Sequence, residues 1–260
     1  MHYNKVMLLW LNGKATDLKK ARTPLLSKVF LNGFGVYESI RTHHGKWLKL
    51  NQHLERLYKS VQIIHLHSKW TQKQVKRHAQ KILKECPWLQ TKLKIILTEE
   101  DLILVAEELK EKPKEWYKKG VSAISFRGER SLPEAKTLGS PLSDVAKQEA
   151  LKKGAYEAIL VSSEGHVREG AQSSLFWVKK GQLFTTDIGV LKGITRQTVI
   201  ELAENCQFEE ILFDDLLKVD ELFLTQTSSG ILPIVEVDGV RIGEEKVGRV
   251  TKELMSRLKN

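Results

Sequence analysis

Lys136, Glu169 and the backbone amides of Gly193, Ile194 and Thr195 are the groups in this chain with the most pointed chemistry. Lys136 sits in Ala-Lys-Thr-Leu-Gly-Ser, a low-charge setting in a lysine-rich chain, so its amine stands apart from the solvated majority. Glu169 adjoins Gly170, where an extended chain could carry its carboxylate to the edge of a ring. The three amides open a helix, and the unpaired N–H groups and dipole at a helix start favour a phosphate. A base-sized ring with a phosphate arm would fit between Glu169 and that helix.

The elements that must position these groups are readable. Residues 157–196, EAILVSSEGHVREGAQSSLFWVKKGQLFTTDIGVLKGITR, read as three apolar strands with Gly-containing turns around Gly165 and Gly181, ending in the Gly-Ile-Thr-Arg step that starts the helix. Ahead of them a strand spans 121–127 and a helix spans 142–153, with Leu142, Val145, Ala146 and Ala150 as its buried face and Gly154 beyond its end. In the first half, a strand over 6–11 runs into Asn12-Gly13, a hairpin pair. A second strand-like alternation over 36–41 follows Gly33 and Gly35 and leads through a His-His-Gly turn to another strand. Leu54, Leu57, Val61 and Ile64 recur at helical spacing behind Asn51 as N-cap, and a second amphipathic helix spans 71–85, stopped by Pro87. Strands at 92–98 and 101–107 precede a charge-dense stretch broken by Pro113, the best linker in the chain.

Composition narrows the function classes. A chain of 260 residues, 41% hydrophobic, can bury a substantial core in one large domain or two smaller ones. No run approaches the roughly 20 apolar residues of a membrane span, and the N-terminal apolar run is too short for a signal peptide, so a cytoplasmic location is expected. Cys86 and Cys206 are far apart and lack metal-ligand spacing; no metal site is expected. The net charge of +10 raises nucleic-acid binding as a remote alternative. However, Lys73, Lys76, Arg77, Lys81, Lys84, Lys179 and Lys180 are spread over helices and turns, and no RNA- or DNA-binding signature accompanies them.

Several motifs converge on one family. VREGAQS at 167–173 and LKGITR at 191–196 match V-x-E-G-x-x-S and L-x-G-I-T-R; GFGVYES at 33–39, H-x-x-R-L at 53–57, Lys136-Thr-Leu followed by VAKQEA at 145–150, and LTQTSSG leading into a P-x-x-E-x-D-G hairpin add to them. Together they cover most of the chain and resemble the class IV, or fold-type IV, pyridoxal-phosphate enzymes: branched-chain aminotransferases, D-amino acid aminotransferases and aminodeoxychorismate lyases. The resemblance implies a two-domain α/β (α+β) fold holding pyridoxal 5'-phosphate between a smaller N-terminal domain, 1–113, and a larger C-terminal domain, 121–260, joined by a linker at 114–120. It also implies a homodimer.

By the same resemblance Lys136 is the lysine that condenses with the cofactor aldehyde, a role requiring an amine activated by burial or a nearby charge. Gly139 replaces the family's usual asparagine, and Lys192, before the GIT turn, suits solvent. Glu169 partners the ring nitrogen, keeping it protonated so that the ring accepts electron density. Arg56, the Ile194 and Thr195 amides and the Thr227 hydroxyl hold the phosphate. For Arg56 the plainer reading is a helix-surface pair with Gln52 or Glu55; for Thr227, an ordinary turn residue. Tyr37 points toward the substrate, or is an ordinary core or edge-strand tyrosine.

Substrate choice stays open. Pro141 stands where branched-chain enzymes carry a tyrosine, and Thr98-Glu99-Glu100-Asp101 stands where D-amino acid enzymes carry an R-x-H carboxylate trap. An aminotransferase acting on a small amino acid and a 2-keto acid is expected. The alternative is a 4-amino-4-deoxychorismate lyase releasing pyruvate and 4-aminobenzoate.

Overall fold

The computed structural model describes residues 7–17, 19–22, 27–244 and 246–259; Val6, expected in the first strand, lies outside them. Contacts divide the chain into two units: Met1–Lys110 with Ala135–Gly139, and Glu111–Glu134 with Ser140–Asn260.

The first unit holds β1 (Met7–Leu11), β2 (Lys14–Ala15), α1 (Lys28–Asn32), β3 (Val36–His43), β4 (Lys46–Trp47), α2 (Leu50–Ile63), α3 (Gln72–Leu83), β5 (Thr91–Leu97) and β6 (Leu102–Glu108). Its sheet runs β2-β1-β6-β5-β3-β4. The Asn12-Gly13 turn takes positive φ at both residues, 53° and 82°, as a two-residue hairpin demands. Strict alternation in β3 sends Val36, Glu38, Ile40 and Thr42 inward and leaves Tyr37, Ser39 and Arg41 on the other face. Val36 and Ile40 join Leu93, Ile95, Leu97, Leu102 and Leu104 beneath Leu54 and Leu57 of α2 and Val75, Ala79 and Ile82 of α3.

Thr71 and Gln74 close a capping box on α3. The start of α2 differs from expectation. Lys49 adopts a left-handed conformation, φ 50°, and its carbonyl accepts the His53 N–H at 3.1 Å, so Lys49 is the cap and Asn51 lies inside the first turn.

Residues 135–139 are bound to this unit by hydrogen bonds. Tyr37 donates its N–H to the Lys136 carbonyl at 3.0 Å and Leu138 donates to the Gly35 carbonyl at 2.9 Å, with an antiparallel bridge between Val36 and Thr137. Gly139, at φ 63°, packs so closely on Gly33 that a Cβ on Gly33 would lie 2.9 Å from the Gly139 Cα.

The second unit begins with α4 (Lys114–Lys119) and continues through β7 (Val121–Arg127), α5 (Pro141–Lys152), β8 (Glu157–Val161), β9 (Val167–Gly170), β10 (Ser174–Lys179), β11 (Gln182–Thr185), α6 (Ile194–Ala203), β12 (Cys206–Phe208), α7 (Phe213–Leu216), β13 (Glu221–Gln226), β14 (Gly230–Val237), β15 (Val240–Arg241) and α8 (Arg249–Lys259). Its sheet runs β12-β11-β10-β13-β14-β7-β8-β9, with β15 paired to β14. The stretch expected as a linker contains α4, whose Trp116 and Tyr117 pack on the core of this unit.

All of β8 is buried, because Ile159 and Val161 face one core while Ala158 and Leu160 face another under α5. The face that α5 buries is Ser143, Ala146 and Ala150, a stripe of small residues, and this rotation leaves Val145 exposed rather than inward. Residues 157–185 form four strands, not three. Gly170 and Ser173 bridge each other in a tight turn that splits β9 from β10, and a Cβ on Gly170 would meet the Ser173 Oγ at 2.1 Å. No helix among the described residues is long and apolar enough to cross a membrane.

Candidate active site

Lys136 is fixed through its backbone. Its N–H donates to the Ser60 Oγ at 3.0 Å, and that hydroxyl donates in turn to the Arg56 carbonyl at 3.0 Å, one turn earlier on α2. Its side chain is left to reach the outward face of β3, where Nζ sits 4.5 Å from the centre of the Tyr37 ring. A second ammonium, Lys94 on β5, lies 4.9 Å from the same ring. Lys94 pairs in register with Ser39, and Lys92 with Arg41, so cations line this face. The acidic run that stands in place of an R-x-H element has partners of its own: Glu99 with Lys28 at 2.9 Å, Glu100 with Lys69 at 3.9 Å and Asp101 with Asn12 at 2.7 Å.

The fork of Arg56 turns to Glu38, with Nε donating to Oε1 at 2.6 Å and Nη2 to Oε2 at 2.9 Å. His53 adds Nδ1 to Oε2 at 2.8 Å. Full burial would raise the Glu38 pKa, but the Arg56 charge and the hydrogen bonds from His53 and Arg56 outweigh it and bring the carboxyl down to about 2. Burial pushes the His53 pKa down, with Glu38 opposing and Arg56 and Lys136 reinforcing. An ionised Glu38 only accepts, so the neutral imidazole carries its proton on Nδ1. Spacing alone could not pair Arg56 with Glu38, which comes from a different element.

In the second unit Glu169 is 5% exposed. Its Oε2 accepts the Leu191 N–H at 3.0 Å, and its Oε1 accepts Arg130 Nε at 2.8 Å, with Arg130 Nη2 at 2.7 Å from the same oxygen. Sequence reasoning missed Arg130, since nothing periodic marks it in Glu-Arg-Ser-Leu-Pro. Leu191 precedes Gly193 by two positions, so Glu169 is tied to the start of α6, whose N-cap is Gly193 and which lacks a side-chain cap. Arg196 braces the loop ahead of that helix, donating Nη2 to the Thr186 carbonyl at 2.9 Å and to Asp187 Oδ1 at 2.8 Å. Lys192 also contacts Asp187 and stays partly in solvent. Thr227 lies half-buried in the turn between β13 and β14.

The class IV amino-transferase family model matches residues 35–237. The chain belongs to that class and is an enzyme, an aminotransferase. Among relatives, a protein of Methanocaldococcus jannaschii, assigned provisionally as a branched-chain-amino-acid aminotransferase, is 31% identical over 98% of this chain and 96% of its own length. The D-alanine aminotransferase of Bacillus licheniformis is 27% identical over 98% of this chain and 96% of that one. Among solved structures, the branched-chain aminotransferase of the thermophilic archaeon Thermoproteus uzoniensis, solved with norvaline, superposes with a TM-score of 0.87 at 27% identity, covering 96% of this chain and 93% of that one. The lyase alternative is not favoured by these relatives.

The cofactor of the class is pyridoxal 5'-phosphate, and the second unit carries groups that fit it. The hydroxyl of Thr225, 3% exposed, has no hydrogen-bond partner among the described residues. Thr225 pairs across the sheet with Ser174, whose Oγ would lie 2.8 Å from a Cβ on Gly193. An unsatisfied buried hydroxyl near an uncapped helix start is what a phosphate would complete. Glu169, bonded to Leu191 just ahead of that start, is a buried carboxylate, a group whose chemistry suits pairing with a protonated ring nitrogen.

Proposed function

We propose that this chain is a pyridoxal-phosphate-dependent aminotransferase that moves an amino group between a small amino acid and a 2-keto acid. The observation that carries this reading is the tie between Glu169 and the Leu191 amide, which sets a buried carboxylate at fixed chain distance from the uncapped start of α6. Bound pyridoxal phosphate supplies an electron-accepting ring. In this reading Glu169 holds the ring nitrogen, the Ile194 and Thr195 amides with Thr227 and Arg56 hold the phosphate, and Lys136 is the nucleophile and then the base that moves the substrate Cα proton. The backbone bonds at Lys136 leave its amine as the moving part.

Tyr37 forms the substrate side, and Lys94 beside it offers a cation for the substrate carboxylate. This support comes from the geometry of the β3–β5 face rather than from an R-x-H element. Pro141, at the first turn of α5, does not stand against likeness to branched-chain enzymes, since such relatives match nearly the whole chain. A homodimer belongs to the same proposal; Phe30, Leu31, Val145 and Leu151 are exposed apolar side chains such an interface could cover. We also propose a cytoplasmic site of action, supported by the absence of a membrane-spanning helix among the described residues.

The decisive experiment loads the purified chain with pyridoxal phosphate and adds D- and L-amino acids singly, without keto acid. Conversion to stoichiometric pyridoxamine phosphate with one stereochemical series is expected. A cofactor untouched by every amino acid, in a protein that releases pyruvate from aminodeoxychorismate, would overturn the assignment in favour of the lyase.

A further inference from the structure

A carboxylate that shares a proton with a ring nitrogen exists in two forms: anion with protonated nitrogen, or neutral acid with neutral ring. Both carry the same net charge, and the surroundings decide between them. Both oxygens of Glu169 accept from donors of the chain. Its Oε1 receives Arg130 Nε at 2.8 Å, with Nη2 at 2.7 Å, and its Oε2 receives the Leu191 N–H at 3.0 Å. Arg130 is itself held, donating Nη2 to the Pro133 carbonyl. Both members of the pair are largely buried, with side-chain exposures of 12% and 6%.

We propose that Arg130 is the positioning residue that keeps the shared proton on the cofactor's ring nitrogen. The inference rests on Glu169 being that nitrogen's partner. A guanidinium in contact with Oε1 stands closer to the carboxylate than to any ring bound beyond it, so its charge favours the carboxylate over the carboxylic acid. Its donors, and the Leu191 amide, reward acceptor oxygens and lose strength when a proton sits on them. Arg130 therefore makes Glu169 a weaker base, and the proton passes from the carboxyl O–H to the nitrogen, where it maintains the electron-accepting ring. Removing the guanidinium would return proton affinity to Glu169. The pair would then sit nearer balance, and the ring would lose part of its pull.

Nitrogen-15 NMR of ring-labelled pyridoxal phosphate in the holoprotein reads the proton's place directly, without turnover. The wild-type signal is expected at the protonated-pyridine position. Arg130→Met, which keeps length but removes charge and donors, should shift it toward the neutral-ring position, and Arg130→Lys should restore it in part. Should Arg130→Met fail to fold, Arg130→Gln, with donors but no charge, carries the same comparison. A merely structural Arg130 would lower stability in the Met variant and leave the ring signal unmoved, and that result would overturn the inference. So would a wild-type ring nitrogen that is already neutral. A wild-type chain that retains no labelled cofactor would overturn the functional reading as well, a separate and recognisable outcome.

Discussion

The guanidinium of Arg56 closes on both oxygens of Glu38, at 2.6 and 2.9 Å, where α2 packs on β3. The fork is thereby oriented by a strand, not left to swing from a helix surface.

The same pair sets the acid response. Glu38 titrates near 4.5 when unfolded and at about 2 in the native state, so its contribution is complete above pH 4.5 and is lost as pH falls through about 2. That contribution is on the order of 3 kcal/mol. His53, whose pKa is also lowered, adds loss in the same direction once pH drops below its ordinary range. Urea midpoints measured across this window should fall steeply for the wild type and flatten for Glu38→Gln; parallel curves would show that Glu38 is not the group responsible.

Lys136→Ala should bind pyridoxal phosphate but lose turnover by about 10²–10⁴-fold or more, as removal of a positioned base does. Mass spectrometry after borohydride treatment should find cofactor fixed to the wild type and none to the variant. Covalent label on Lys192 in the variant would reassign the nucleophile.

Lys94→Met removes one of the two ammoniums at the Tyr37 ring. Loss of a hydrogen bond to a charged partner predicts a KM for the amino acid raised about tenfold or more, with cofactor affinity unchanged. An unchanged KM would move the carboxylate contact elsewhere.

Gly139, at φ 63°, sits with its would-be Cβ 3.3 Å from the Gly33 Cα. Asparagine tolerates this backbone and needs only a small local adjustment, so Gly139→Asn should unfold near the wild-type midpoint. Gly139→Val should lose about 1–2 kcal/mol or more from the left-handed conformation alone. A valine variant as stable as the wild type would show that the Gly33 contact is loose.

Local patterning carried the sequence a long way. The strands expected at 121–127, 92–98 and 101–107 appear as β7, β5 and β6 within a residue of those bounds. What failed were features decided by tertiary contact. Asn51 has the chemistry of a cap, yet the left-handed turn at Lys49 starts the helix earlier. Val145 fits an apolar face, yet the smaller Ala146 and Ala150 let α5 approach the sheet more closely. In the candidate site, Lys136, Glu169 and the α6 start are visible as residue types in a motif. Arg130 is not, because its partner lies 39 positions away and no spacing rule links them.

The segment carrying Lys136 belongs with the first unit, while the residues on either side of it, through Glu134 and from Ser140, belong with the second. Lys136 therefore lies in the later part of the chain but is seated by residues of the earlier part. A piece of chain ending at Lys110 would carry Ser60 and Gly35 without Lys136, and the piece that follows would carry Lys136 without Ser60 and Gly35 to seat it. Inheritance of this chain, like its engineering, has to proceed as a whole.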